Sequence, residues 1–494
     1  MTHEMQVIDG QQRLATTTIF MAAARDYLES IKEAEAAASI ANDYLVEFDY
    51  QQDRKLPKLT LNDIDNNFFK SYIIDKDRSI EPSKQSHKKI KNSYRAAREK
   101  ILSIVEGLPE ANHRQAVIRW AAFLRTSAIV VMFQADDGAD AYKMFETLND
   151  RGLGTTQADL VKNCIFSVSS ENLGQCQMMW GNIKGTLESL NTEEDLTIDF
   201  LRLALICQDG KGVTRETIYE KTEKKVTNAD KAYRFLHDLE ELSKCFVAIS
   251  NPENEKWKGY PDSFRDNIAT LNLLDISAIQ PLLLSIAYKM SKSEQIKCFK
   301  FIVSFTVRIL VALSVRSGAT FDAIDVAANK VSSSQVNKLD DLKVELSKLI
   351  VSNEQFEEAF STYSIGNAKL ARYLLRALNE KMTGIPNPEM VASKDSIQLT
   401  LEHIMSKSIS KNGYPNFNEA EHKMYKNRLG NQTLLSANDN SGIGNELFEE
   451  KLKIYEKSIL KINEDLSQYK EWNINNLTDR QKRLSKIAVK TWPI

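Results

Sequence analysis

The stretches LTLEHI at residues 399–404 and RLGNQTLLSANDNSGIGNELFEEK at 428–451 decide how the C-terminal part of the chain is read. Leu399, Leu401 and Ile404, with β-branched Thr400 among them, predict a short strand that delivers Glu402 and His403 side by side at its end. Twenty-eight residues after His403, Asn431 precedes a second apolar run, Thr433-Leu434-Leu435, after which Asn438, Asp439 and Asn440 crowd a turn before a helix. Such a strand, turn and helix is suited to hold one hard cation between a carboxylate and an amide oxygen, leaving the histidine to take a proton from water. Alone, Glu402-His403 reads more readily as a surface acid beside a satisfied histidine.

Working outward, 494 residues allow two to four domains, each with its own core. A hydrophobic share of 42%, a charged share of 27% and only ten prolines fit a largely helical globular protein, not a disordered or fibrous one. The net charge of −2 names no partner, because a nucleic-acid surface needs only a local basic stripe. Cys164, Cys176, Cys207, Cys245 and Cys298 are widely spaced and never form a Cys-x-x-Cys pair, which argues against a structural zinc site or a disulfide framework. The opening MTHEMQVIDGQQRL has no basic segment followed by an apolar one, and no run of about eighteen apolar residues occurs, so a cytoplasmic protein without a membrane partner is expected.

Near the start, VIDGQQRL at 7–14 reads as a strand end, a glycine turn and a helix running toward Tyr27. A glycine turn at a helix N-terminus aims backbone N–H groups outward, as phosphate requires, and Arg13 adds charge; a plain Asp9 cap with Arg13 on a solvated face explains the same residues. Few residues precede Val7, so the domain is expected to lack its front strands. Further expectations are a helical stretch from Ala22 to Phe48, a strand at 56–61, a helix from Asp63 to Ile74 and a strand over TSAIVVMF at 126–133. Ile90, Tyr94, Ala97, Ile101 and Ile104 predict an amphipathic helix whose neighbouring face carries Lys84, Lys88, Lys91, Arg95 and Arg98. That stripe serves either DNA phosphates or plain solvation. From 167 to 350 helix follows helix without a fixed repeat, then a Gly/Pro-containing linker spans 382–396. After Lys451 one helix is expected to carry Leu452, Tyr455, Ile459, Ile462, Leu466 and Tyr469 on one face, followed by a basic cluster, Arg480, Lys482, Arg483, Lys486 and Lys490, for DNA docking or solvation.

Taken together, VIDGQQRL at 7–14, LPKLTLNDIDNNFF at 56–69, FETLNDRGLGTTQADLVKN at 145–163, LEHI at 401–404, RLGNQTLL at 428–435 and the spaced Asn440, Asn445, Phe448 and Lys451 resemble the GmrSD-type restriction endonucleases. The resemblance implies an α+β, predominantly α-helical chain. It would comprise a partial ParB/sulfiredoxin-like nucleotide-binding domain at 1–166, a helical scaffold or sensing region at 167–380, and an HNH-like ββα-metal nuclease domain at 381–494. It implies bacterial anti-phage defence by cutting modified or improperly marked double-stranded DNA.

It further implies that Asp9, Gly10, Gln11, Gln12 and Arg13, with Asn149 and Arg151, bind and hydrolyse a nucleoside triphosphate, whether GTP, UTP or ATP. In the C-terminal domain His403 is expected to be the general base and Asn431 to orient its ring. Glu402 and Asn440 are expected to bind magnesium or manganese, and Lys451 to contact a phosphate or brace the loop. Lys88, Lys91, Arg95, Arg480 and Arg483 are the expected DNA contacts, and a homo-oligomer is allowed. The chain departs from the family pattern in the missing YQR-like phrase before DGQQR, in Met405-Ser406 where an apolar residue and proline are usual, and in Gln432 where leucine is usual. Met405, Ser406 and Gln432 support an alternative: a nucleotide-gated DNA-binding sensor with a degenerate nuclease domain.

Overall fold

The structure is a computed structural model that describes residues 5, 7, 10–50, 53–61, 65–83, 85–132, 156–190, 194–312, 318–384, 399–407, 416–444 and 446–494. It is predominantly helical, as expected, and divides into two compact units, Met1–Leu173 and Gly174–Ile494.

In the first unit α1 (Gln11–Ser30) buries Ile19, Met21, Ala22, Ala23 and Leu28, and packs against α2 (Ala34–Ile40) and the amphipathic α4 (Gln85–Val105). On α4, Tyr94, Ala97 and Ile101 are buried as the spacing predicts. The helical stretch does not reach Phe48: after one wide turn at Ala41–Leu45 the chain becomes β1 (Val46–Asp49), paired antiparallel with β2 (Arg54–Pro57). The second strand therefore lies earlier than 56–61. The helix predicted from Asp63 is in part outside the described residues and is otherwise short, α3 (Asn66–Phe69) followed by a wide turn at Lys70–Ile74. Arg25 staples that turn, donating to the carbonyls of Ile74 (2.9 Å) and Ile73 (3.0 Å) and pairing with Asp26.

The strand expected over 126–133 is not formed in the described part. Helix α5 (Glu110–Ser127) runs through its first two residues, and Ile129, Val130, Val131 and Met132 follow as exposed chain without a paired strand. A run of β-branched residues prefers extended backbone but needs a partner to become a strand. Helix α6 (Gln157–Ser167) follows, its Thr156 cap accepting from the Asp159 N–H.

The second unit opens on α7 (Leu173–Glu188) and continues as a helical array: α8 (Glu194–Asp209), α9 (Ile218–Lys225), α10 (Ala229–Ser250), α11 (Asp262–Leu274), α12 (Gln280–Lys289), α13 (Lys292–Ala312), α14 (Gly318–Ser332) and α15 (Leu339–Glu345). Helices α8, α12 and α14 pack on one another, and nearly all of α12 is buried. Then come α16 (Asn353–Thr362), α17 (Ala368–Thr383), β3 (Leu399–His403), α18 (Glu419–Tyr425), β4 (Gln432–Ser436), α19 (Ala437–Ile443), α20 (Phe448–Tyr455), α21 (Lys461–Glu464) and α22 (Ile474–Thr491).

The single long helix expected after Lys451 is broken. α20 stops at Tyr455, Ile459 stands 91% exposed, and α21 restarts at Lys461. Arg308 of α13 ties the array to this last part. Its fully buried guanidinium donates to the carbonyls of Val351 (2.9 Å) and Trp492 (2.7 Å) and to Asn353 Oδ1 (2.8 Å). All five thiols are buried and none is in a disulfide. Among the described residues no helix is long and apolar enough to cross a membrane.

Candidate functional site on the buried hairpin

Strands β3 and β4 pair antiparallel, with Thr400 opposite Leu435, Glu402 opposite Thr433 and His403 opposite Gln432. Both predicted runs are therefore strands, and they are each other's partners. Alternation sends Thr400 and Glu402 to one face of the ribbon and Leu401 and His403 to the other. Glu402 and His403 are adjacent in the chain but do not share a face. Asn438, Asp439 and Asn440 do not crowd a turn; they form the first turn of α19, capped by Ser436 Oγ accepting from the Asp439 N–H at 3.1 Å.

On the Glu402 face, the carboxylate is buried and accepts from Lys451 Nζ, which also donates to the His403 carbonyl at 2.7 Å. Burial pushes the Glu402 carboxyl above the usual range, against the Lys451 charge, the hydrogen bond from Lys451 and the His403 N–H. Lys451 is 1% exposed. It is thus a brace between the carboxylate and the strand end, and of its two expected roles phosphate contact is the one its burial opposes. Asn440 Nδ2 donates to Thr400 Oγ1 (2.7 Å) and leans toward the Leu401 carbonyl (3.4 Å), so the amide nitrogen is spent on β3 and Oδ1 is the end left for a ligand.

Among the described residues no group of three or more His, Cys, Asp and Glu converges, so no closed cage is formed there. Glu402 and Asn440 do supply two hard oxygen donors on the helix-bearing face of one ribbon. That set fits a divalent ion that keeps most of its waters, with Lys451 already on one carboxylate oxygen.

On the other face His403 meets Gln432, whose Nε2 lies 3.4 Å from His403 Nε2 and donates to the Ile365 carbonyl at 3.0 Å. Burial, then the charges of Lys407, Lys451 and Lys426, push the imidazole down to about 4, so it is neutral at pH 7 and able to accept a proton.

Asn431 does not hold the His403 ring. Its side chain is committed elsewhere, half of it to the loop after β3: Oδ1 accepts from the Met405 N–H (2.8 Å) and Trp472 Nε1 (2.9 Å), and Nδ2 donates to the carbonyls of Met405 (3.0 Å) and Lys426 (3.1 Å). Four satisfied bonds at a fully buried amide fix its orientation. His422 Nε2 adds a donor to the Ser406 carbonyl at 2.7 Å. The Met405-Ser406 departure therefore sits in a loop held by its backbone, without need of a proline.

Gly430 belongs to the same support. A Cβ there would lie 2.7 Å from Gln481 Cβ and 2.8 Å from the Leu477 carbonyl, so only glycine lets α22 approach. Gln481 Oε1 accepts from the Gly430 N–H (3.2 Å) and Arg428 Nε (3.0 Å). Arg480, expected at a DNA surface, is fully buried instead and donates to the carbonyls of Gly430 (2.7 Å) and Gln432 (2.9 Å). Arg483 is half-buried and occupied by Asp465, by Asp479 at 3.4 Å and by the Tyr469 hydroxyl.

In the first unit Lys88 and Arg95 are exposed on α4, whereas Lys91 pairs with Glu81 at 3.1 Å. Gly10 adopts the left-handed conformation (φ 83°), and α1 begins at Gln11 with no acidic residue in its first turn. Gln11, Gln12 and Arg13 are exposed, and Gln11 Nε2 donates to the Val7 carbonyl at 2.7 Å. Asp9, Asn149 and Arg151 lie outside the described residues, so the expected nucleotide set is only partly placed.

Residues that the motifs alone did not single out are Trp472, His422 and Gln481. Each acts on the hairpin from a separate segment, through a contact that no local periodicity encodes.

No curated protein matches the chain. Two family descriptions do: the N-terminal domain of GmrSD restriction endonuclease over residues 2–166, and the C-terminal domain of GmrSD restriction endonucleases over residues 350–487. The second span contains the whole hairpin with its supports from α16 to α22, and together the two domains identify this chain as a member of the GmrSD restriction endonuclease family.

Proposed function

We propose that the chain is a divalent-metal-dependent DNA endonuclease whose cutting is governed by a nucleoside triphosphate, and that β3 and β4 form the strands of an HNH-like ββα-metal site. The observation that carries this reading is a neutral, partly enclosed imidazole at the end of a strand whose opposite face offers Glu402 and Asn440. His403 takes the proton from the attacking water. The phosphodiester lies across the end of β3, where both faces of the ribbon come within reach. A magnesium or manganese ion held by Glu402 and Asn440 would polarise the phosphate and stabilise the departing oxygen. Lys451 keeps the carboxylate and the strand end in register, and Asn431 keeps the following loop in place.

The regulatory half of the proposal rests on the first unit. There the left-handed Gly10 opens α1 with exposed Gln12 and Arg13 and no acid nearby in the helix, an arrangement open to phosphate. A ParB/sulfiredoxin-like core and preference for modified phage DNA are parts of the same reading. The sensor alternative, based on Met405, Ser406 and Gln432, is less favoured because Asn431 and His422 hold the first two through their backbone groups.

The test is plasmid nicking with magnesium or manganese, on matched modified and unmodified DNA, with and without each nucleotide. His403→Ala should lower the cutting rate by about 10²–10⁴-fold while leaving the circular-dichroism spectrum and nucleotide binding unchanged. Undiminished nicking by that folded variant would remove His403 from the chemistry.

A further inference from the structure

The loop after β3 and the end of α18 are tied into one rim beside His403. The Asn431 amide donates both to the Met405 carbonyl and to the Lys426 carbonyl, and His422 of α18 donates to Ser406. These bonds bring two lysines from separate segments to the same side chain: Lys407, one residue past Ser406 and exposed, and Lys426, one residue past α18 and half-buried. Both lie close enough for their charge to act on the imidazole, together with Lys451.

The three cations differ in how they are satisfied. Lys451 is spent on Glu402 and on a carbonyl. Lys407 and Lys426 form no ion pair among the described residues, whereas nearby Lys453 and Lys461 each pair with a glutamate three residues away. The rim therefore holds two cations that form no ion pair among the described residues, on segments drawn together by the bonds of Asn431 and His422. Like charges gathered beside a desolvated group are unfavourable unless an anion completes the set, and a nucleic-acid backbone offers one negative charge per phosphate.

We propose that Lys407 and Lys426 form a phosphate clamp that grips the DNA backbone on the two sides of the phosphodiester presented to His403. The proposal rests on the nuclease reading above for the position of that phosphodiester. Neither lysine takes part in proton transfer; they are positioning residues. Their contribution is to hold the strand against the rim.

The test separates binding from cutting. In a His403→Ala background, binding of a fluorescent duplex is followed by anisotropy across a salt series, with and without Lys407→Gln and Lys426→Gln. Each phosphate contact contributes about 0.9 to the slope of log affinity against log salt, so the double glutamine variant should lose about 1.8 from that slope. Between 50 and 200 mM salt its affinity should then fall about tenfold less than the parent's. Lys407→Arg with Lys426→Arg should keep the parent slope. An unchanged slope in the glutamine variant overturns the clamp, as does a parent that binds no duplex at low salt. The nuclease reading fails on a different result: wild-type protein that binds the duplex with the expected slope but never nicks it.

Discussion

The molecule contains two antiparallel ribbons among its described residues, and they are built on opposite plans. β1–β2 joins strands only four residues apart in the chain, pairs residues none of which is buried, and sets Phe48 and Tyr50 edge to face at 5.1 Å on its surface. β3–β4 joins strands separated by a long connection, and most of its residues are buried beneath helices from both ends of the second unit's C-terminal part. A two-stranded ribbon is marginal by itself. The first is a surface feature; the second is held by buried polar groups, namely Asn431, Lys451, Arg480 and Gln481, each bonded to at least one main-chain atom of the ribbon or its loops. The candidate site lies on the ribbon whose backbone is held in this way.

Three measurements test how differently the two ribbons are held. The largest effect belongs to Lys451→Met, which leaves Glu402 buried without its cation and should cost about 3–5 kcal/mol by urea unfolding. Because burial holds the Glu402 carboxyl above its usual range, part of that loss should return as the pH falls and the carboxyl takes up a proton. A loss under about 1 kcal/mol would mean that the pair is not supporting the hairpin.

Next is the pH dependence carried by His403. Its folded value is pushed down to about 4 from 6.5, so the stabilisation it represents is fully present above 6.5 and disappears as the pH drops through about 4. Thermal midpoints measured across that window should fall for the wild type and flatten for His403→Gln. Equal slopes would place the imidazole in open solvent. The smallest effect is expected on the other ribbon, where Phe48→Ala should cost less than about 1 kcal/mol, since the ring is 44% exposed and its aromatic partner is a surface tyrosine.

Much of the second site was legible. Alternation in LTLEH and the apolar run TLL sufficed for both strands, and Glu402, His403 and Asn440 emerged as candidates from spacing and resemblance. What stayed hidden was the inward use of charge. Arg480 was grouped with neighbouring basic residues, yet Leu477, Leu484 and Ala488 share its helical face, and Gln481 joins it at the next position. Lys451 likewise stands between Phe448 and Tyr455 on the buried side of α20. A cation inside an apolar stripe is a signal of burial that a count of basic residues obscures. The TSAIVVMF run misled in the opposite direction, because propensity for extended backbone says nothing about whether another strand is available to pair with it.

The buried thiols have a practical corollary. Desolvation pushes Cys207 and Cys298 up to about 12 and raises Cys245 as well, so none of these supplies much thiolate near neutrality. Cys164 and Cys176 are enclosed too. To a bulky maleimide the native protein should be close to silent. A single cysteine introduced on an exposed helix position would then accept a dye or spin label without first removing the natural ones, and its signal could follow the arrival of DNA in an otherwise unaltered chain.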